Sequence, residues 1–205
     1  MRSKKLWLSF FLLAVTFSVN ATPITYIYTG TGSGTIGGSP FTDASFTFTA
    51  TADTDDIVNV GVLEVDHITT NATINGSTYA ISTALRTYKS SAAVGLSRSS
   101  SVVGGDLYNT DSDPAFSAWD MTTSLGPITT TRYLIQWDSG APIETDGGTL
   151  IFDTGETTGT FEAILGADPV PTNATPIPTL SWFGAVVLVT LLAGLAYIRR
   201  KTFVN

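Results

Sequence analysis

Between residues 22 and 167, short stretches recur in which apolar side chains occupy every second position. Ala44-Ser-Phe-Thr-Phe-Thr-Ala50 sets Ala44, Phe46, Phe48 and Ala50 on one side, with Ser45, Thr47 and Thr49 on the other. Side chains alternate across a strand, so a period of two belongs to strands with one covered face. Thr25-Tyr-Ile-Tyr28 pairs Tyr26 with Tyr28 in the same way. Arg132-Tyr-Leu-Ile-Gln-Trp-Asp138 predicts Tyr133, Ile135 and Trp137 on a covered face, leaving Arg132, Gln136 and Asp138 opposite.

Further strands are predicted over 62–70, 78–88, 93–97, 119–122, 149–152 and 159–164. Glycine and proline pairs punctuate them at Gly37-Gly38, Asn75-Gly76, Gly104-Gly105, Gly126-Pro127 and Gly147-Gly148. Asn75-Gly76 between two β-prone runs predicts a type I′ hairpin, whose central residues both need positive φ. Threonine and serine are stiff at χ1 or compete for helix hydrogen bonds, and only 51–59 and 112–119 leave room for a helical turn. The expected fold is mainly β: a single antiparallel β-sandwich or jelly-roll-like domain, with a β-helix as the lesser option.

The two ends carry different signals. Met1-Arg-Ser-Lys-Lys5 is cationic, residues 6–19 are apolar, and Val19-Asn20-Ala21 places small side chains for cleavage after Ala21. The apolar run is too short to span a hydrocarbon core, so residues 1–21 read as a signal peptide. Residues 168–179 form a spacer with four prolines between Asp168 and Pro178, an extended segment. Residues 180–198 hold no charge and would extend about 28 Å as a helix, near the bilayer thickness. Arg199, Arg200 and Lys201 follow directly. A transmembrane helix is expected there, with 199–205 as a cytoplasmic basic tail. The β domain is then exported, sits on the exterior, periplasmic side of an inner membrane, and can be processed to the cell surface or matrix.

The motif Pro176-Ile-Pro-Thr-Leu-Ser-Trp-Phe-Gly184, followed by an apolar stretch and Arg199-Arg200, resembles the IPTL-CTERM class of bacterial sorting tails, relatives of the PEP-CTERM tails. The resemblance covers about 30 residues of the chain. It implies recognition by an exosortase-type sorting protease, with Ile177, Pro178, Thr179 and Leu180 as the motif and Trp182 as its aromatic partner. The Gly32–Ala50 region is also similar to exported domains joined to such tails.

Charge narrows the partners. All 17 acidic residues lie between Asp43 and Asp168, against Arg86, Lys89, Arg98 and Arg132, an excess of 13 negative charges. Such a domain repels phosphate backbones, so no nucleic acid is expected as partner. There is no cysteine, which excludes disulfide staples, thiol catalysis and thiolate metal sites.

Little in the chain points to catalysis. His67 is the only histidine, and on a strand it shares a face with Leu63 and Val65 while Asp66 points away, so Asp66 cannot orient its ring. No Gly-x-Ser-x-Gly elbow accompanies it. Gly30-Thr-Gly-Ser-Gly34 lacks the Lys and following helix of a phosphate cradle. Hard cations favour clustered carboxylates, which makes Asp53, Asp55 and Asp56, and Asp106, Asp111 and Asp113, candidate calcium ligands, although neither group fits an EF-hand. The leading expectation is a non-enzymatic cell-envelope or extracellular-matrix protein with a structural or adhesive role. It would present loops or a wide polar sheet to envelope polysaccharide or other surface proteins. The alternatives are a calcium-dependent carbohydrate-binding module, using Trp119 and Trp137 as aromatic platforms, and a glycan hydrolase with paired carboxylates.

Overall fold

The computed structural model describes residues 22–99, 105–134 and 142–166. All lie in the first of two compact units, Met1–Pro169; the second is Val170–Asn205.

The architecture grows from one long hairpin. Strand β1 (Pro23–Ile36) pairs antiparallel with β2 (Ser39–Asp53) across a turn at Gly37 and Gly38, both at positive φ. Ala44, Phe46, Phe48 and Ala50 are buried, as the alternation predicts, while Ser45 is exposed and Thr47 and Thr49 are half-exposed. Beyond β2 comes a single 3-10 turn, Thr54–Asp56, leading to the edge strand β3 (Val58–Asn59) and to β4 (Leu63–Asp66). A bend at His67 then delivers β5 (Thr69–Ile74), which pairs with β2 and forms a hairpin with β6 (Ser77–Ala80). Its turn residues Asn75 and Gly76 have φ of 48° and 81°, the positive values a type I′ turn demands.

The remaining strands are β7 (Leu85–Lys89), β8 (Val94–Arg98), β9 (Asp106–Thr110), β10 (Leu125–Leu134), β11 (Ile143–Thr145), β12 (Gly148–Phe152) and β13 (Gly155–Leu165). They join into one antiparallel sheet in the order β3-β4-β7-β8-β9-β10-β13-β1-β2-β5-β6, with β12 paired to both β1 and β11. Strands β4 and β5 are consecutive in the chain, yet they lie near opposite ends of this order. The sheet must therefore curl until its two ends meet at the His67 bend. There the His67 N–H donates to the Leu85 carbonyl at 2.9 Å and the Ile68 N–H to that of Thr51 at 2.7 Å, extending both ladders through the corner. A strand that bends from one face to the other is how orthogonal sandwiches turn corners. The free edge of β6 is tied to β11 by the Ile81–Thr145 bridge and by the Asp146 N–H to the Ala80 carbonyl at 3.0 Å, which covers an otherwise open template for association.

Inside the curl sits an aromatic core. Tyr28 meets Tyr108 edge-on at 5.7 Å and Phe161 at 5.1 Å, and Phe46 meets Phe152 at 5.0 Å. Helix α1 (Pro114–Ala118) adds Phe116 against Phe161 at 5.7 Å.

Several expectations need correction. The fold is a mostly antiparallel β half-barrel or sandwich, without a membrane helix among the described residues: none of their helices is long and apolar enough to cross a membrane. The expected span, residues 180–198, lies outside the described residues, as do the signal segment and the basic tail. The transmembrane part of the fold and the inner-membrane placement with an exterior domain are accordingly withdrawn. Residues 119–122 are not a strand, because Trp119 caps α1 and Met121 adopts φ of 67°. Residues 106–110, read as part of a cation loop, form the central strand β9.

The facing of β10 is inverted. Arg132 and Leu134 are buried and Tyr133 is 39% exposed. Polarity alone assigned Arg132 to solvent, but register with Thr110 and Tyr108 of β9 turns Arg132 and Leu134 inward.

Candidate functional site

Two of the six acidic candidates, Asp53 and Asp113, act as local turn-makers. Asp53 accepts from the Asp55 N–H at 2.9 Å and so caps the 3-10 turn. Asp113 accepts from the Ala115 N–H at 2.8 Å, capping α1 with Pro114 following. Both follow the ordinary N-cap preference. Asp106 lies in β9, and the Asp111 N–H bonds to the Thr131 carbonyl. No group of three or more Asp, Glu or His among the described residues is arranged to hold a metal ion. Asp56, Val58, Glu64 and Asp66 line one open depression, where Glu64 is committed to an ion pair with Arg86 at 2.7 Å and Asp66 accepts from the Ser99 hydroxyl at 2.8 Å.

His67 sits at the sheet corner, half-buried, with both ring nitrogens turned inward. Nδ1 lies 2.9 Å from Thr70 Oγ1 and Nε2 2.9 Å from Thr87 Oγ1, which is 2.8 Å from the Tyr28 hydroxyl. The Tyr28 hydroxyl also reaches the Gly95 carbonyl at 3.4 Å. One ordering satisfies every group. Tyr28 donates to Gly95, Thr87 to Tyr28, His67 Nε2–H to Thr87, and Thr70 to Nδ1. Desolvation pushes the His67 pKa down to about 3, while burial raises that of Tyr28 so that it stays a protonated donor. No carboxylate and no serine belong to this chain of hydrogen bonds, so the histidine serves as a structural knot.

Trp119 is only 5% exposed, donates from Nε1 to the Thr123 carbonyl at 2.8 Å, and packs edge-on against Tyr26 and Phe161. It is core, not a platform for sugar. Trp137, Ala21, the motif residues Ile177, Pro178, Thr179, Leu180 and Trp182, and the basic residues Arg199, Arg200 and Lys201 lie outside the described residues.

The outer surface of the sheet carries the most regular array of functional groups. Thr78 pairs with Thr73, Thr73 with Thr47, Thr47 with Thr29, and Thr160 with Thr129. Thr29 and Thr160 join the two halves through hydroxyls 2.8 Å apart. Six threonines thus lie in one row across β6, β5, β2, β1, β13 and β10. With strands about 4.8 Å apart the row extends about 24 Å. Beside it on the same face stand Ser45, Thr49, Asn71, Ile27, Thr131 and Thr158, and the acids of β13 that share this face are Glu156 and Glu162. None of the face positions on these six strands is Lys or Arg, and Asp53 closes the face at the end of β2. On a domain with 17 acidic residues, this broad face is almost free of charge. The Ser45–Thr47–Thr49 alternation shows that β2 has a polar side, but the six-strand alignment depends on registers that one strand's sequence does not reveal.

At the centre of the row the chains approach unusually closely. A Cβ at Gly159 would fall on the Thr29 carbonyl oxygen, and one at Gly34 on that of Ile151. Gly34, at the end of the Gly30-Thr-Gly-Ser-Gly34 run, and Gly159 therefore let β12 and β13 lie against β1.

No family model, no curated protein and no solved structure matches the chain.

Proposed function

We propose that this chain is a non-enzymatic cell-envelope or extracellular-matrix protein with an adhesive or structural role, and that its contact surface is the threonine-rich face, which carries few charges. The observation carrying this reading is the six-threonine row. Each threonine offers a hydroxyl that donates and accepts, beside a methyl group. This is chemistry suited to neutral, hydroxyl-rich polysaccharide, whose recognition needs no charge complement. Charged residues are concentrated elsewhere, where they keep the domain soluble. Because the row follows the twist of the sheet, it suits a flexible polymer better than a flat crystalline surface. The tail motif Ile177–Leu180 with Trp182, by its resemblance to sorting signals, supports delivery by an exosortase-type protease.

Co-sedimentation of the full chain with an insoluble neutral glucan tests the reading. The wild type is expected to pellet with the glucan. Thr47→Asp together with Thr73→Asp, which place two charges mid-row, should abolish pelleting while leaving the melting transition cooperative. Equal pelleting of folded wild type and variant would remove the threonine face from the proposal.

A further inference from the structure

The interior holds a cation, Arg132, that no anion among the described residues partners. Arg132 is fully buried, and its Nε and both terminal nitrogens lack any hydrogen-bond partner. The guanidinium lies over the Tyr108 ring, 5.8 Å from its centroid, so the negative face of the ring offsets part of the charge. Its cross-strand neighbours are Thr110 on β9 and Thr157 on β13. Thr157 Oγ1 is already engaged, accepting from the Thr31 N–H at 3.1 Å and donating to the Thr158 carbonyl at 3.3 Å. Thr110 Oγ1 accepts from the Val94 N–H at 2.9 Å, and its own proton remains available to donate. The Tyr108 hydroxyl donates away, to the Thr29 carbonyl at 3.2 Å. Glu64, the acid of a nearby ladder, is committed to Arg86.

The polar side chains beside Arg132 are thus neutral hydroxyls, none of them hydrogen-bonded to the guanidinium and none carrying the negative charge that would balance it. A buried guanidinium without a partner is among the most costly groups a core can contain, and arginine does not escape by losing its proton at ordinary pH. We propose that Arg132 binds a small free oxyanion inside the sandwich, held by the guanidinium fork with the Thr110 hydroxyl as a further donor. The planar fork matches two oxygens of a carboxylate or an inorganic oxyanion. The complete burial of Arg132 limits the ligand to a small free ion and excludes an acidic group carried on a polymer.

The test uses the full chain labelled uniformly with 13C and 15N, with the Arg132 Nε–H resonance assigned through bonds from its own backbone. Sodium formate and sodium sulfate are titrated against sodium chloride at equal ionic strength. The expected result is a saturable shift of that resonance with formate, sulfate or both, exceeding that in chloride. The wild-type melting midpoint should also rise with the same anion by several degrees more than that of Arg132→Met. A resonance that moves no further in either oxyanion than in chloride overturns the proposal, and so does an equal rise in midpoint for the two proteins. The resonance titration needs only wild-type protein, so it decides the matter even if Arg132→Met fails to fold.

Discussion

His67 Nε2 lies 2.9 Å from Thr87 Oγ1, joining the bend between β4 and β5 to the middle of β7. The bond sits where the two ends of the strand order meet, so the ring helps to close the curled sheet. It does so as a neutral group, because burial disfavours the imidazolium.

That neutrality fixes a pH dependence. The folded pKa of His67 is about 3, against about 6.5 for an unfolded histidine. Between these values the unfolded chain binds a proton that the folded chain does not, so stability falls as pH drops from about 6.5 to about 3. The slope is about 1.4 kcal/mol per pH unit from this group. His67→Gln should cost about 1–3 kcal/mol at pH 7 through the lost network. The gap between the two proteins should narrow in urea melts at pH 6 and 5 and close or reverse by pH 4. A constant gap would contradict a buried neutral ring.

Gly159→Ala tests the close passage of β13 against β1. Its Cβ has no room beside the Thr29 carbonyl, and backbone cannot yield as a flexible side chain would. A loss of about 3 kcal/mol or more is expected, read as a lowered urea midpoint. Gly38→Ala is the contrast, since nothing lies within 4 Å of the Cβ position there; only the strain of its positive φ is charged against it.

Asp113→Ala should cost about 1 kcal/mol through loss of the α1 cap. Because Asp53 and Asp113 are engaged by backbone N–H groups, a chelator should leave the melting midpoint unchanged in calorimetry. A fall of several degrees on chelation would restore the calcium reading of the acidic clusters.

The parts of the fold legible in the sequence are those set by local chemistry. The Ala44–Ala50 alternation gave the inner face of β2, Asn75-Gly76 gave the turn between β5 and β6, and the helical turn expected within 112–119 is α1 with an Asp113 cap. What escaped depends on partners distant in the chain. Nothing near Arg132 indicates that β9 and β13 will turn it inward, since a charged residue on a strand ordinarily faces water. The break at His67 within the predicted 62–70 strand arises because Asp66 and Thr69 pair with different strands. The threonine row likewise exists only once five interstrand registers are set; its members span residues 29 to 160.

Methyl NMR of threonine-labelled full chain with a soluble neutral glucan oligomer tests the binding role of this face most directly. The account predicts graded, saturable shifts for the methyls of Thr29, Thr47, Thr73 and Thr160, with Thr87 and Thr110 in the interior unmoved. Shifts confined to threonines off this face, or none at oligomer concentrations that release the protein from insoluble glucan, would contradict it.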